Sequence, residues 1–343
     1  MSIITTLIII AVLILVHEWG HFITARRIGI PVHEFSLGFG YRLFHIKKNG
    51  VEYSIRLIPL GGYVRMAGEE PGDMENPEGF NNRKPWEKML VAVAGPFMNF
   101  VAALVIFIYI FSFIGIPIVS NEAVIGKIIK DKPAAAAGLK ADDKILTVNE
   151  TPVKSWNEFT EQLAQSQAGQ VLTVKVNRND QIVNLDITPG ISSTTGLPEI
   201  GVLSKIDYEK QNIFTAVKIG FQRTYELTML LFSGLGLLFS GGASVNELAG
   251  PVGITKLVGE AAQVGSVFLL SFTAFLSINL GILNLLPIPA LDGSRIVFGL
   301  IEAIRRKPIE PEREGFIHWI GFMFLMLLIV IVTYNDIVRL IKG

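Results

Sequence analysis

The chain has no cysteine, which removes disulfides and thiolate ligands together and leaves any metal site to nitrogen and oxygen donors. It is also poor in charge: 17% of its 343 residues are Asp, Glu, Lys or Arg and 50% are hydrophobic, where a soluble domain carries about 25% charged residues. A membrane protein is the first expectation. Its 30 basic and 30 acidic residues cancel, so the basic excess that marks a nucleic-acid partner is missing. Histidines number five, and only His17 and His21 lie close together. The first 25 residues have neither a basic leading segment nor a small-residue cleavage site, so they read as part of the mature chain.

Four apolar segments reach the roughly 20 residues that cross a bilayer: Ile3 to Ala25, Met89 to Ile118, Gly265 to Leu286 and Phe316 to Ile341. A fifth stretch, Phe214 to Phe239, carries Lys218, Arg223 and Glu226 in its first half, and its uninterrupted apolar part is too short to span. It reads as an amphipathic helix at the interface. With four spans, the ends of the first and third fall on one face of the membrane. Arg26, Arg27, Arg42, Lys47, Lys48 and Arg56 follow the first span, and Arg295, Arg305, Arg306 and Lys307 follow the third. Both loops are therefore expected in the cytoplasm, although Arg339 and Lys342 at the far end run weakly against this.

Between the first two spans, Arg42 to Lys48 and Val51 to Ile58 flank Asn49-Gly50, a strong hairpin signal. A small sheet beside the first span offers an edge to an extended peptide. After the second span, strand patterns at 124–129, 144–148, 171–176 and 182–187 surround a helix opened by Ser155 and Glu158 as a capping box. The stretch Pro133 to Leu139 followed by Asp143 to Asn149 resembles the core of a PDZ domain, with Asp142 where that family usually has glycine.

His17 and His21 are at i and i+4, so on a helix they share one face about 6 Å apart and can ligate one ion. Glu18 is the neighbouring residue, placed to take a proton from water at the metal without being a ligand itself. From Ile3 to His17 is about 21 Å of helix, at or just inside the border of a hydrocarbon layer about 30 Å thick. Each ionisable group there costs roughly 2.5–3.5 kcal/mol on insertion scales. A bound cation explains three of them on two turns better than a chance match to the motif does. Zinc needs a third protein ligand if one position is to stay open. His33 and His45 lie in the hairpin region, and His318 begins the last span beside Trp319, where an interfacial role fits it. Asp292 follows the third span on the face where the first one ends. On pattern alone it is either that ligand or the cap of a helix, and Asn284 is either a substrate contact or an interhelical hydrogen bond.

The motifs taken together resemble the site-2 protease family of intramembrane zinc metalloproteases, in its bacterial regulator-of-sigma branch (RseP type). The matching residues are His17-Glu18-Trp19-Gly20-His21, Phe35 to Gly40, Gly95-Pro96-Phe97-Met98-Asn99, the single PDZ-like insert, and Asn284 through Gly293, in order along nearly the whole chain. The resemblance implies that His17, His21 and Asp292 bind one zinc ion, that Glu18 is the general base, and that Asn284 helps hold the substrate. It also implies that the hairpin region is a membrane-associated β element receiving the unwound substrate as an added strand. Ser294 departs from the family, which often has a second glycine there, and only one PDZ-like domain is present where some relatives have two.

The expected architecture is a polytopic α-helical membrane protein with four transmembrane helices, a membrane-associated β-hairpin region on the cytoplasmic side and an inserted α+β PDZ-like domain. Residues 1–118 form the first half of the core, 119–190 the PDZ-like domain, 191–264 a connecting segment with the interfacial helix, and 265–343 the second half. The expected activity is hydrolysis of peptide bonds in the transmembrane segments of single-span proteins, such as anti-sigma factors already trimmed by a site-1-type protease or remnant signal peptides. The expected setting is the lipid bilayer of a bacterial inner membrane, with the PDZ-like domain outside the cytoplasm and the active site toward it. The competing readings are an inactive PDZ scaffold, disfavoured by the intact motifs, and a membrane-anchored protease of soluble proteins, disfavoured because the motif lies inside the apolar helix.

Overall fold

The computed structural model describes residues 2–69, 73, 76–167, 169–191, 196–242 and 249–342. The chain divides into two compact units, Met1–Ser112 with Asn212–Gly343, and Phe113–Gln211.

The first unit opens with helix α1, Ser2–Ile28. Its apolar run satisfies all backbone polar groups internally, as a lipid setting demands, and its buried stripe is Leu13, His17, Gly20, His21 and Ala25. Gly29 ends it at φ +85, a conformation that glycine adopts at no steric cost. Strands β1 (Val32–Lys48) and β2 (Val51–Met66) follow around the expected Asn49-Gly50 turn. The sheet is more elaborate than a hairpin, because β1 pairs twice: Phe35 faces both Tyr53 and Val64. β2 bends back after Ile58, so its last residues run along the other edge of the base of β1. Phe22, Val32, Val64, Met66, Phe80 and Val91 are buried together where this base meets the helices. The outer half is different, with Tyr41, Leu43, Phe44, Ile46, Ile55 and Leu57 exposed. At the base, Ser54 and Arg56 donate to the buried Glu34 carboxylate at 2.6 and 2.7 Å. Burial alone would raise that carboxyl, but these donors and Tyr63 hold it below its usual range.

Helix α2, Pro85–Tyr109, starts with proline in its first turn and with the Lys84 N–H donating to the Glu87 carboxylate. A wider turn over Ile110–Ile114 ends it, and Gly115 at φ +115 turns the chain away. The apolar run was expected to continue as helix to Ile118, yet Ile116–Val119 is a strand.

The second unit contains that strand, β3 (Ile116–Val119), then β4 (Ile125–Ile128), α3 (Pro133–Ala136), β5 (Lys144–Val148), β6 (Thr151–Pro152), α4 (Trp156–Gln165), β7 (Leu172–Arg178), β8 (Gln181–Ile187), β9 (Gly190–Ile191), β10 (Pro198–Glu199), β11 (Val202–Ser204) and β12 (Ile206–Glu209). An antiparallel sheet in the order β6-β5-β7-β8 is accompanied by the separate two-stranded pairs β4–β11, β3–β12 and β9–β10. Strands from both ends of the segment thus meet, some of them outside residues 119–190. Ser155 caps α4 by accepting from the Glu158 N–H, while the Glu158 carboxylate accepts from the N–H of Lys154. Asp143 is fully buried and accepts two hydrogen bonds from Arg178. Its burial would raise the carboxyl, but the guanidinium holds it well below the usual range.

The chain returns to the first unit with α5 (Ile213–Phe239), α6 (Pro251–Val264), α7 (Ser266–Leu285), α8 (Asp292–Arg305) and α9 (Pro311–Lys342). Among the described residues, four helices are long and apolar enough to cross a membrane: Ser2–Ile28, Pro85–Ile114, Ser266–Leu285 and Glu312–Ile341. Helix α5 is not one of them. It packs on α2 at Gly220, where an added Cβ would meet Ile108 and Leu104 at 3.3 and 3.4 Å. Lys88 of α2 donates to Glu302 of α8 at 2.9 Å, both side chains being buried. Removing one partner of such a pair costs about 3–5 kcal/mol, so this contact fixes α8 against α2.

Candidate metal centre

Glycine sets the geometry of the centre. At Gly20 an added Cβ would lie 2.2 Å from the Ala94 carbonyl oxygen, so α1 and α2 cross with their backbones nearly touching. At Gly95 it would lie 2.2 Å from His21 Nε2 and 2.9 Å from His17 Cε1. Gly95 is therefore the floor on which both rings rest. One residue on, Pro96 has no N–H to give the helix.

The ring orientations follow from hydrogen bonds. His21 Nδ1 is 2.8 Å from the Val91 carbonyl oxygen, which can only accept, so Nδ1 carries a proton and in the neutral ring Nε2 keeps its lone pair. His17 Nδ1 is 3.1 Å from the side-chain Nδ2 of the fully buried Asn99, whose Oδ1 has no hydrogen-bond partner among the described residues. With the Asn99 amide turned so that Oδ1 accepts from Nδ1–H, His17 also presents a bare Nε2. Ser277 of α7 holds the Asn99 carbonyl at 2.8 Å and so anchors this part of α2.

Asp292 arrives from the other half of the unit. Pro287 and Pro289 break the chain after α7, Ala290 adopts φ +75, and α8 begins at Asp292. The cap position belongs to Leu291, so Asp292 is the first residue of the helix and not its cap. Ser294, in place of the second glycine, turns its hydroxyl onto the Leu291 carbonyl at 2.7 Å. The Asp292 carboxylate faces the histidines instead, with Oδ2 at 3.0 Å from His17 Nε2 and 3.3 Å from His21 Nε2. The two Nε2 atoms are 3.2 Å apart.

Three acceptor atoms thus form a triangle with edges of 3.0–3.3 Å, and Asp292 Oδ2 is buried without a hydrogen-bond donor. Lone pairs converging in this way suit a cation. Nitrogen and oxygen ligands at about 2.0–2.1 Å in tetrahedral array lie about 3.3 Å apart, so the donor set and spacing suit zinc. Among the described residues, this is the one cluster of histidine, aspartate or glutamate close enough to hold an ion.

A cavity of about 270 Å³ adjoins the triangle, and Glu18, Tyr63, Met66, Asn284, Arg295 and His318 help to line it. All five residues singled out from the sequence therefore share one place. Glu18 makes no hydrogen bond among the described residues, and its Cγ would stand 3.2 Å from a Cβ at Gly62. Asn284 donates to the Leu280 carbonyl at 3.0 Å and reaches the cavity wall from α7. Arg295 donates to Glu69 at 2.7 Å and covers the ring of Phe80.

Sequence reasoning missed two groups. Asn99 was visible as part of Gly95 to Asn99 but had no assigned role; a polar residue in the middle of a span was the available signal. His318 was expected at an interface, yet it lines the cavity and accepts from the Ala290 N–H through Nδ1 at 2.9 Å. No local spacing linked it to residue 290.

The chain is similar to several known proteins. Residues 5–328 match the model of peptidase family M50. Zinc metalloprotease RasP of Oceanobacillus iheyensis is 34% identical over 426 aligned positions, covering 99% of each chain. Regulator of sigma-W protease RasP of Bacillus subtilis is 33% identical over 419 positions, again covering 99% of each. Among solved structures, the PDZ domain of an SdrC-like protein from Listeria monocytogenes is 22% identical with a TM-score of 0.23, covering 26% of this chain and 93% of that one.

Proposed function

The chain belongs to peptidase family M50, and from that membership we propose an intramembrane zinc metalloendopeptidase that hydrolyses peptide bonds in the transmembrane segments of single-span proteins. The observation that carries the reading is the triangle of bare acceptors beside a carboxylate free of hydrogen bonds, at the end of an apolar helix. His17, His21 and Asp292 are the zinc ligands. When bound, zinc polarises the scissile carbonyl and lowers the pKa of water toward about 7.

Glu18 accepts the proton of the attacking water and passes it to the departing amine. Asn284, at the far wall of the cavity, supplies an amide to the substrate backbone. A helical substrate hides its carbonyls in i to i+4 hydrogen bonds and must unwind to be cut. The last part of β2, Gly61 to Met66, is bonded to β1 along one edge, and no strand pairs with the other edge among the described residues. Tyr63, Val64 and Met66 line the cavity, so a substrate strand added to that edge would pass beside Glu18. The exposed apolar outer half of the β1–β2 hairpin suits insertion into lipid.

Substrates of this class include anti-sigma factors trimmed by an upstream protease and remnant signal peptides, cut in the course of regulated intramembrane proteolysis. The setting is the bacterial cytoplasmic membrane, with the catalytic centre toward the cytoplasm and residues 119–190, as a PDZ-like domain, outside it. The loop cations support that orientation. Helix α5 is then an interfacial helix, with Phe214, Phe221, Tyr225 and Phe232 exposed. Reporter fusions at Asn179 and Lys307 should report opposite compartments. The same compartment for both would mean that α5 crosses the membrane.

Asp292→Asn tests the ligand set. A neutral amide is a poorer ligand than a carboxylate for a doubly charged ion, so zinc affinity should fall by more than the roughly 10–100-fold typical of outer-shell changes. Metal analysis after dialysis against a chelator reads it, with cleavage of a single-span substrate as the companion assay. Full zinc and normal cleavage would overturn the assignment.

A further inference from the structure

Resting on the metal reading above, we propose that His318, on the last apolar helix, is a positioning residue that holds the Pro287 to Leu291 loop so that Asp292 reaches the metal. Ala290 is the strained point of that loop. Its φ of +75 lies in the left-handed region that alanine avoids, and such a conformation persists only where the surroundings over-determine it. The surroundings come from α9. His318 Nδ1 accepts the Ala290 N–H at 2.9 Å, a donor with no other acceptor among the described residues. One turn along α9, a Cβ at Gly321 would lie 2.3 Å from the Pro289 carbonyl oxygen, so the helix backbone presses directly on the loop.

The imidazole touches both sides of the ligand. Before Asp292 it bonds Ala290; after it, the ring packs edge-on against Phe298 of α8 with centroids 5.5 Å apart. Because Nδ1 accepts, the ring hydrogen is on Nε2, which is buried without a hydrogen-bond acceptor among the described residues, the Glu314 carboxylate oxygen lying 3.7 Å away. His318 thus ties α9 directly to the residue two before the ligand. No part of His318 belongs to the donor triangle, so its effect on the metal is exerted through the loop.

The experiment is zinc retention by the full-length protein in detergent, titrated against a competing chelator. His318→Phe keeps a flat ring against Phe298 and removes the acceptor. It should lower zinc affinity by about 10–100-fold, the range for groups that orient a ligand. His318→Asn places Oδ1 where Nδ1 stood and should restore affinity to within a few-fold of the parent. Adding Ala290→Gly to His318→Phe relieves the left-handed strain and should recover about fivefold or more, as expected from the 1–2 kcal/mol that conformation costs a non-glycine residue.

Parental affinity in His318→Phe would overturn the proposal, and so would equal losses in the Phe and Asn variants, which would assign the effect to packing. The proposal and the metal reading fail separately. If Asp292→Asn keeps zinc, the ligand set is wrong; if Asp292→Asn loses zinc while His318→Phe holds it, the ligand set stands and His318 has no positioning role.

Discussion

Replacing Glu18 by glutamine should leave one zinc per chain and lower the rate of cleavage by about 10²–10⁴-fold, the range that a general base supplies. The amide has nearly the shape of the carboxylate, and Glu18 is outside the triangle made by His17, His21 and Asp292, so the ligands are undisturbed. What is lost is the ability to accept a proton. The native side chain has no hydrogen-bond partner among the described residues, so the substitution leaves no protein group newly unpaired. Metal analysis beside a timed cleavage assay with a single-span substrate decides the matter. Wild-type turnover in the variant would remove Glu18 from the mechanism, whereas loss of zinc would mean that it is a ligand.

Gly95→Ala should be as damaging through a different route. A single methyl group would stand 2.2 Å from His21 Nε2 and 2.9 Å from His17 Cε1, well inside the roughly 3.5–4.0 Å at which nonbonded atoms rest. His21 can escape only by leaving the Val91 carbonyl that fixes its tautomer. Zinc affinity should therefore fall at least 100-fold, beyond the range for an outer-shell partner, with cleavage falling in step. Gly234→Ala on α5 is the matched control, since a Cβ there meets nothing within 4 Å. A Gly95→Ala protein that holds zinc and cuts normally would show that the two helices do not cross as closely as described.

The parts of the molecule legible from sequence are those written in local spacing. Two histidines at i and i+4 on an apolar helix need no tertiary information to be paired, and Asn49-Gly50 announces the turn between β1 and β2. Asp292 required one global step, the argument that the first and third spans end on the same face. The structure brings its carboxylate against both histidines, whereas the pattern alone left it either a ligand or a helix cap and only the family resemblance chose between them.

Hydropathy failed at Ile116, where an apolar run continues through the end of α2 into a strand; only Gly115 separates the two, and its φ of +115 is not visible in composition. The double pairing of β1 escaped because strand pairing at distance leaves no periodic mark. His318 escaped for the same reason, since its partner is a backbone N–H. Asp142, which departs from the PDZ pattern, is explained by the fold: it sits at φ +66, a left-handed conformation that aspartate tolerates better than most residues and glycine better still.

The split origin of the donor triangle sets a schedule for the protein's birth. His17 and His21 are made well before residue 292, which is added only after the long stretch of chain between them has been synthesised. At about 5–20 residues per second that interval is on the order of tens of seconds. Throughout it the nascent chain holds two of the three residues of the triangle and no Asp292 loop, so on the proposed ligand set the centre is incomplete. The triangle is completed in one late step, when α8 is made and packs against α2 through Lys88 and Glu302.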